Sequence, residues 1–210
     1  LGSWLWDIIT SVFSGIASGF NEKYKGDEES RIQNNIKIVS NPDAGHAVGN
    51  AAGGVINFHD LGKLTVSGIL KSDSAGTGKA GSITLSQSAF NTMTLDDSTI
   101  SASGGCSGPD CGLINISSPV TVSAKGATLR TNGINANAGN VNIVSSLAQI
   151  LLDQASLDAS VTTGSGKGGK ITVTANNSSV TVPSATFHAD GLDTGAGGEI
   201  RISVAAAQPV

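Results

Sequence analysis

From Ile36 onward the chain alternates apolar residues with small polar ones in short bursts, and each burst opens on a glycine-bearing turn. Aligned on those turns, GGVINF from Gly53, AGSITL from Ala80, CGLINI from Cys111, AGNVNI from Ala138, GGKITV from Gly168 and GGEIRI from Gly197 match without a gap. Their anchor glycines Gly54, Gly81, Gly112, Gly139, Gly169 and Gly198 lie 27, 31, 27, 30 and 29 residues apart, a period that belongs to solenoid repeats. The alternate positions Ile56/Phe58, Ile83/Leu85, Ile114/Ile116, Val141/Ile143, Ile171/Val173 and Ile200/Ile202 are all apolar, so one face of each segment is built for burial as a strand. A second alternating pair follows at Leu64/Val66, Met93/Leu95, Val120/Val122, Ile150/Leu152 and Val180/Val182. A third short strand begins three residues on at Ser98/Ile100, Ala155/Leu157 and Ala185/Phe187, and is displaced by two residues at Ala127/Leu129.

Three strands and three turns make one rung, and a single rung has nothing to bury its apolar face against. Stacking solves this, because each strand pairs with its equivalent one turn later at about 4.8 Å. Like residues then lie above like, aliphatic inside and Ser/Thr/Asn outside. The pattern predicts an all-β fold over 36–210: a parallel β-helix, or β-solenoid, with about six three-strand rungs.

The first residues follow another rule. Ser3, Asp7, Thr10, Ser11, Ser14, Ser18 and Asn21 recur at three- and four-residue steps and form a narrow polar stripe. The rest is apolar or glycine, with Trp4, Trp6, Ile9, Phe13, Ile16 and Phe20 prominent and Gly15 and Gly19 making a face for close backbone approach. An amphipathic α-helix over 1–21 is predicted, joined to the solenoid by a charged linker at 22–35. Three roles stay open for it: capping its own solenoid, docking on another copy of the chain, or lying on a membrane surface. The last is the least favoured, since no Lys or Arg precedes Lys23.

Charged residues make up 13% of the chain, about half the usual share, and the net charge of −4 is spread thinly. No basic stripe supplies the footprint that nucleic acid requires. Cys106 and Cys111 close a six-residue segment with no histidine nearby to complete a zinc site, so a local disulfide is the preferred expectation and two free thiols the alternative. A bridge implies an oxidising compartment. Starting at Leu1 without a basic leader, the chain reads as a processed mature protein or an excised segment.

The recurring Gly-Gly-x-Ile-x-Ile strand, followed by a Ser/Thr/Ala-rich strand pair and another glycine turn, resembles the repeats of filamentous-haemagglutinin-like exoproteins of the two-partner-secretion type. The resemblance covers about Ile36 to Val204. It implies a right-handed parallel β-helix in an extracellular, surface-associated adhesin or biofilm-matrix protein.

Few residues suggest chemistry. Gly164-Ser-Gly-Lys-Gly-Gly169-Lys170 satisfies G-x-G-x-x-G, but it runs into a strand pattern rather than a helix, and Gly76–Gly81 repeats it at the equivalent place in another rung. Turns needing positive φ explain it better than a nucleotide site. Asp96, Asp97, Asp110, Asp153, Asp158, Asp190, Asp193 and Glu199 are mostly single and at strand ends, with Asp96 expected to stack near Asp153 as a candidate cation pair. His46, His59 and His188 fall in different repeats with no nucleophile motif. No catalytic, cofactor-binding or metal residue is assigned. The sequence points to a secreted, non-enzymatic structural or adhesive solenoid, self-assembling head to tail into filaments and facing a cell-surface or polysaccharide ligand. The alternative is a carbohydrate-active β-helix enzyme of the lyase or hydrolase type.

Overall fold

A computed structural model of the chain describes residues 36–38, 53–61, 63–74, 78–88, 92–105 and 111–205. The expected helix over 1–21 and the linker at 22–35 lie outside these residues, and no helix occurs among the described ones.

Strand β1 (Ile36–Ile38) precedes five complete rungs. The first is β2 (Val55–Leu61), β3 (Leu64–Val66) and β4 (Ile69–Lys71), and the second is β5 (Ser82–Gln87), β6 (Met93–Thr94) and β7 (Thr99–Ser101). The third comprises β8 (Leu113–Ser118), β9 (Val122–Ser123) and β10 (Thr128–Arg130), trailed by the short β11 (Gly133–Ile134). The fourth comprises β12 (Asn140–Ser145), β13 (Ile150–Leu151) and β14 (Ser156–Asp158), trailed by β15 (Val161–Thr163). The fifth is β16 (Lys170–Asn176), β17 (Val180–Thr181) and β18 (Thr186–His188), after which β19 (Glu199–Ala205) stands alone. The count is therefore five rungs and not six, because the sixth glycine-led copy, GGEIRI, contributes a first strand only.

All named pairings are parallel. The first sheet runs β19-β16-β12-β8-β5-β2, the second β1-β3-β6-β9-β13-β17 and the third β18-β14-β10-β7-β4, while β11 pairs with β15 at one corner. Each strand's neighbours are its equivalents one rung away, which is the defining order of a solenoid. In the first sheet the register follows the sequence alignment residue for residue, since Ile83 lies against Ile56 and Ile114, and Ile171 against Val141 and Ile200.

The second sheet corrects one register. Val122, not Val120, lies between Met93 and Ile150, so the buried pair of that rung is Val122/Ala124. Val120 is only half-buried, and its N–H donates to Ser118 Oγ (3.2 Å). With Ala124 in place of Val122 as the second core residue, Ala127/Leu129 follows it by three residues as in the other rungs. The apparent two-residue displacement vanishes.

One core fills the column. Leu85, Ile116, Ile143 and Val173 form an inward ladder from the first sheet, and Leu70, Ile100, Leu129 and Leu157 another from the third. These side chains are fully buried, each contributing roughly 1.5–3 kcal/mol before entropy is subtracted. Burial differs along the axis: Ile56 and Phe58 in β2 are 4% and 6% exposed, whereas Ile200 and Ile202 in β19 are 46% and 44% exposed.

The turn between the second and third sheets has two residues, and its second residue is left-handed in four consecutive rungs: Asp97 (φ 54°), Gly126 (φ 63°), Gln154 (φ 54°) and Ser184 (φ 54°). Pro183 before Ser184, and the Ala185 N–H donating to Val182 O (3.4 Å), are features of a type II turn. Only one rung of the four meets the requirement with glycine.

Candidate functional site

The polar side chains that the fold gathers most closely lie on the outer face of the third sheet. Parallel register places Lys71, Ser101, Arg130, Asp158 and His188 in one outward column. Two residues further along each rung, Asp73, Ser103, Asn132, Ser160 and Asp190 form a second column, continuing the same register beyond the strand ends. They are brought together because each third strand ends in a polar residue before the chain turns, and the period repeats that position; Ser101 is buried there, Lys71, Arg130 and Asp158 are half-buried and His188 is exposed.

The second column has an internal logic. Asp73 Oδ1 accepts from the Ser103 N–H (2.7 Å) and from Ser101 Oγ (2.7 Å). Ser103 Oγ accepts from the Asn132 N–H (3.0 Å), and Ser160 Oγ accepts from the Asp190 N–H (3.0 Å). In each case a side-chain oxygen takes the backbone N–H of its successor one rung up, satisfying a donor that leaves the sheet at the corner. The pattern breaks once. The Ser160 N–H donates to Asp158 Oδ1 (3.0 Å) instead of to Asn132, whose Nδ2 donates to Asp158 Oδ2 (3.0 Å). Asn132 Oδ1 is thereby left buried without a hydrogen-bond partner.

Arg130 sits beside this break. It is half-buried, its Nε is buried without a partner, and neither ion pair found among the described residues involves it. Asp158, its ladder neighbour, is already occupied by Asn132 and Ser160. His188 Nδ1 lies 3.6 Å from Asp190 Oδ2 at the exposed end of the two columns.

The other expected residues do not converge. Asp96 and Asp153 are separated by Lys125, which occupies the intervening rung, so the anticipated stacked pair is two ladder steps apart, about 10 Å. Asp96 Oδ1 instead accepts from Ser123 Oγ and from the Lys125 N–H, both at 3.0 Å. Among the described residues no group of three His, Cys, Asp or Glu side chains is placed to hold a metal ion. Asp97 is one of the left-handed turn residues, Asp193 is another residue with positive φ, and Glu199 pairs with Lys170 at 3.1 Å. Asp110 and His46 lie outside the described residues, and His59 is exposed on β2.

The glycine-rich segment is a corner. Gly164 has φ 69°, as expected of a turn, but Gly169 is required for a different reason: a Cβ there would overlap the Gly139 carbonyl of the rung below. Beside it runs a groove of about 420 Å³ between Asn137, Lys167, Lys170 and Glu199. The N–H groups of Lys167, Gly168, Gly169 and Lys170 donate to Asn137 Oδ1 (2.9 Å), Ala196 O (3.0 Å), Ala159 O (2.8 Å) and Gly139 O (3.2 Å). With all four engaged by the protein, these residues offer no free N–H groups to phosphate.

Cys111 is fully buried and no free thiol stands among the described residues, while Cys106 lies outside them. The proposed assembly residues Trp4, Trp6, Ile9, Phe13, Gly15, Ile16, Gly19 and Phe20 also lie outside them.

Arg130, Asn132 and Asp73 escaped sequence reasoning because none belongs to a motif. Writing the repeats in register through the last residue of the third strand would have shown Lys71, Arg130 and Asp158 at one repeat position. The chain matches no family model, no curated protein and no solved structure, so its function has to be argued from these columns alone.

Proposed function

We propose that the chain is an extracellular structural or adhesive protein, a right-handed solenoid acting as a rigid, non-enzymatic scaffold. One observation carries this reading: outward polar groups are organised as ladders along the axis and engage one another across rungs. Asn142 Nδ2 donates to Asn115 Oδ1 (2.9 Å), Thr174 Oγ1 and Ser203 Oγ lie 3.0 Å apart, and Asp73 binds Ser101 and Ser103. A hydrolase or lyase needs carboxylates held toward one reacting centre. Here Asp73, Asp96 and Asp158 are each held by hydroxyl, amide or backbone N–H donors of their own or the neighbouring corner. Such a body suits secretion, where a Cys106–Cys111 bridge would hold the corner of the longest repeat.

Self-stacking belongs to the same proposal. β19 continues the inward ladders with Ile200, Ile202 and Val204, which a further parallel rung would cover. A second copy can supply that rung, giving the head-to-tail filament, with the segment 1–21 docking on the neighbour.

The scaffold reading is tested by incubating the protein with insoluble cell-wall polysaccharide. It predicts depletion of protein from the supernatant with no release of reducing or unsaturated sugar ends. Time-dependent release of such ends would overturn it in favour of the carbohydrate-active enzyme.

A further inference from the structure

Two columns on the third sheet concentrate hydrogen-bonding and charged groups that the rest of the body spreads out. We propose that this face is a docking track for an extended, uncharged polysaccharide, with Arg130 as its central donor; the inference deepens the adhesive reading and rests on it.

Arg130 sets this face apart. A guanidinium carries five N–H donors and does not lose its charge. Arg130 is half-buried, yet it makes no ion pair among the described residues and its Nε has no hydrogen-bond partner. Buried polar atoms are ordinarily satisfied, so an unpaired pair, Arg130 Nε and Asn132 Oδ1 two residues away, marks a place where the fold leaves polar groups unmatched by its own ladders. Asp158 cannot relieve the arginine without giving up Asn132 and Ser160.

The chemistry of the partner follows from what surrounds this point. Along the first column Lys71, Arg130, Asp158 and His188 mix donors and acceptors at multiples of the rung spacing of about 4.8 Å, with Ser101 buried between the first two. Across both columns two cations, Lys71 and Arg130, face three carboxylates, Asp73, Asp158 and Asp190. That balance disfavours a polyanion and leaves no excess of positive charge for phosphate or sulfate. It fits a partner that offers hydroxyls as both donor and acceptor at regular intervals, which is the description of a neutral glycan chain lying along the axis, roughly one sugar unit to a rung. The parallel sheet keeps these groups in register over the five rungs.

The experiment is native affinity electrophoresis of the full chain in gels containing hydroxyethyl cellulose, polygalacturonate or no polymer. Arg130→Gln, His188→Ala and, away from the track, Lys125→Ala are compared with the native sequence after circular dichroism has checked each fold. The track predicts retardation of the native chain by the neutral polymer, loss of that retardation in Arg130→Gln, a partial loss in His188→Ala and none in Lys125→Ala. Should Arg130→Gln fail to fold, His188→Ala carries the comparison, because that side chain is exposed at the end of the column. Equal retardation of the native chain and the folded track variants overturns the track while leaving an adhesive protein that binds elsewhere. Retardation only by polygalacturonate, or by neither polymer, overturns the neutral glycan as partner, and the cell-wall depletion test then judges the adhesive reading by itself.

Discussion

Ile114 and Ile200 occupy the same inward ladder, three steps apart by way of Val141 and Ile171, and differ chiefly in burial: Ile114 is 0% exposed and Ile200 46%. Truncating each to alanine removes the same atoms in the same register. At Ile114 the loss combines the transfer free energy of the deleted groups with a cavity between rungs that cannot collapse, and the expected cost is about 3–4 kcal/mol. At Ile200 roughly half the side chain is already in water and one side of the site is open, so no closed cavity forms and about 1 kcal/mol is expected. Guanidinium unfolding followed at the far-ultraviolet β band gives both values. Because stacked repeats can unfold in stages, the midpoint of the first transition is the quantity to compare. If a second copy supplies the next rung, the Ile200→Ala cost rises with protein concentration while that of Ile114→Ala does not. Equal costs for the two variants at low concentration, or an Ile114→Ala cost below about 0.5 kcal/mol, would refute the ladder as the source of stability.

Gly169→Ala should destabilise by more than about 2 kcal/mol because the new Cβ overlaps the Gly139 carbonyl, whereas Gly197→Ala, whose Cβ would meet only Ala189 O at 4.0 Å, should be neutral or slightly stabilising; thermal melts of the pair check this. Gln154→Gly should raise stability by about 0.5–1 kcal/mol, since relief of the left-handed strain at φ 54° exceeds the extra chain entropy of glycine; an unchanged or lowered melting temperature contradicts it. A bridge between Cys106 and Cys111 closes a six-residue segment and should contribute about 2 kcal/mol, lost on adding dithiothreitol; native material that mass spectrometry shows to carry two free thiols removes this prediction.

The first strands were legible because each combines a glycine that only a tight corner needs with two apolar residues two apart, and those features recur six times. The second strands were harder, since they are two or three residues long and small side chains can fill their inward places. In the third rung Val120-Thr-Val122 is more apolar than Val122-Ser-Ala124, yet the shorter pair is buried, because Ser118 and Pro119 take up the corner and delay the strand. The ladders of Asp73, Ser103 and Ser160 were invisible for another reason. Their function is to receive a backbone N–H from one rung away, a contact that composition and alternation do not encode. Arg130 likewise acquires meaning only when its neighbours above and below are known. The expectation of positive φ throughout the corners held at Gly164 but missed the close approach that fixes Gly169.

The most direct test of the whole account is the distance between two outward positions of one column. Val55 and Glu199 lie at the two ends of the first sheet, five ladder steps apart, so the rung spacing places their backbones about 24 Å from each other. Spin labels introduced at these positions through non-canonical amino acids, leaving Cys106 and Cys111 untouched, report that separation by pulsed electron–electron resonance. Stacked parallel rungs predict a single narrow distribution centred near ~24 Å, allowing a few ångströms for the label arms. A broad distribution, or one centred beyond ~35 Å, would contradict the solenoid and everything argued from its columns.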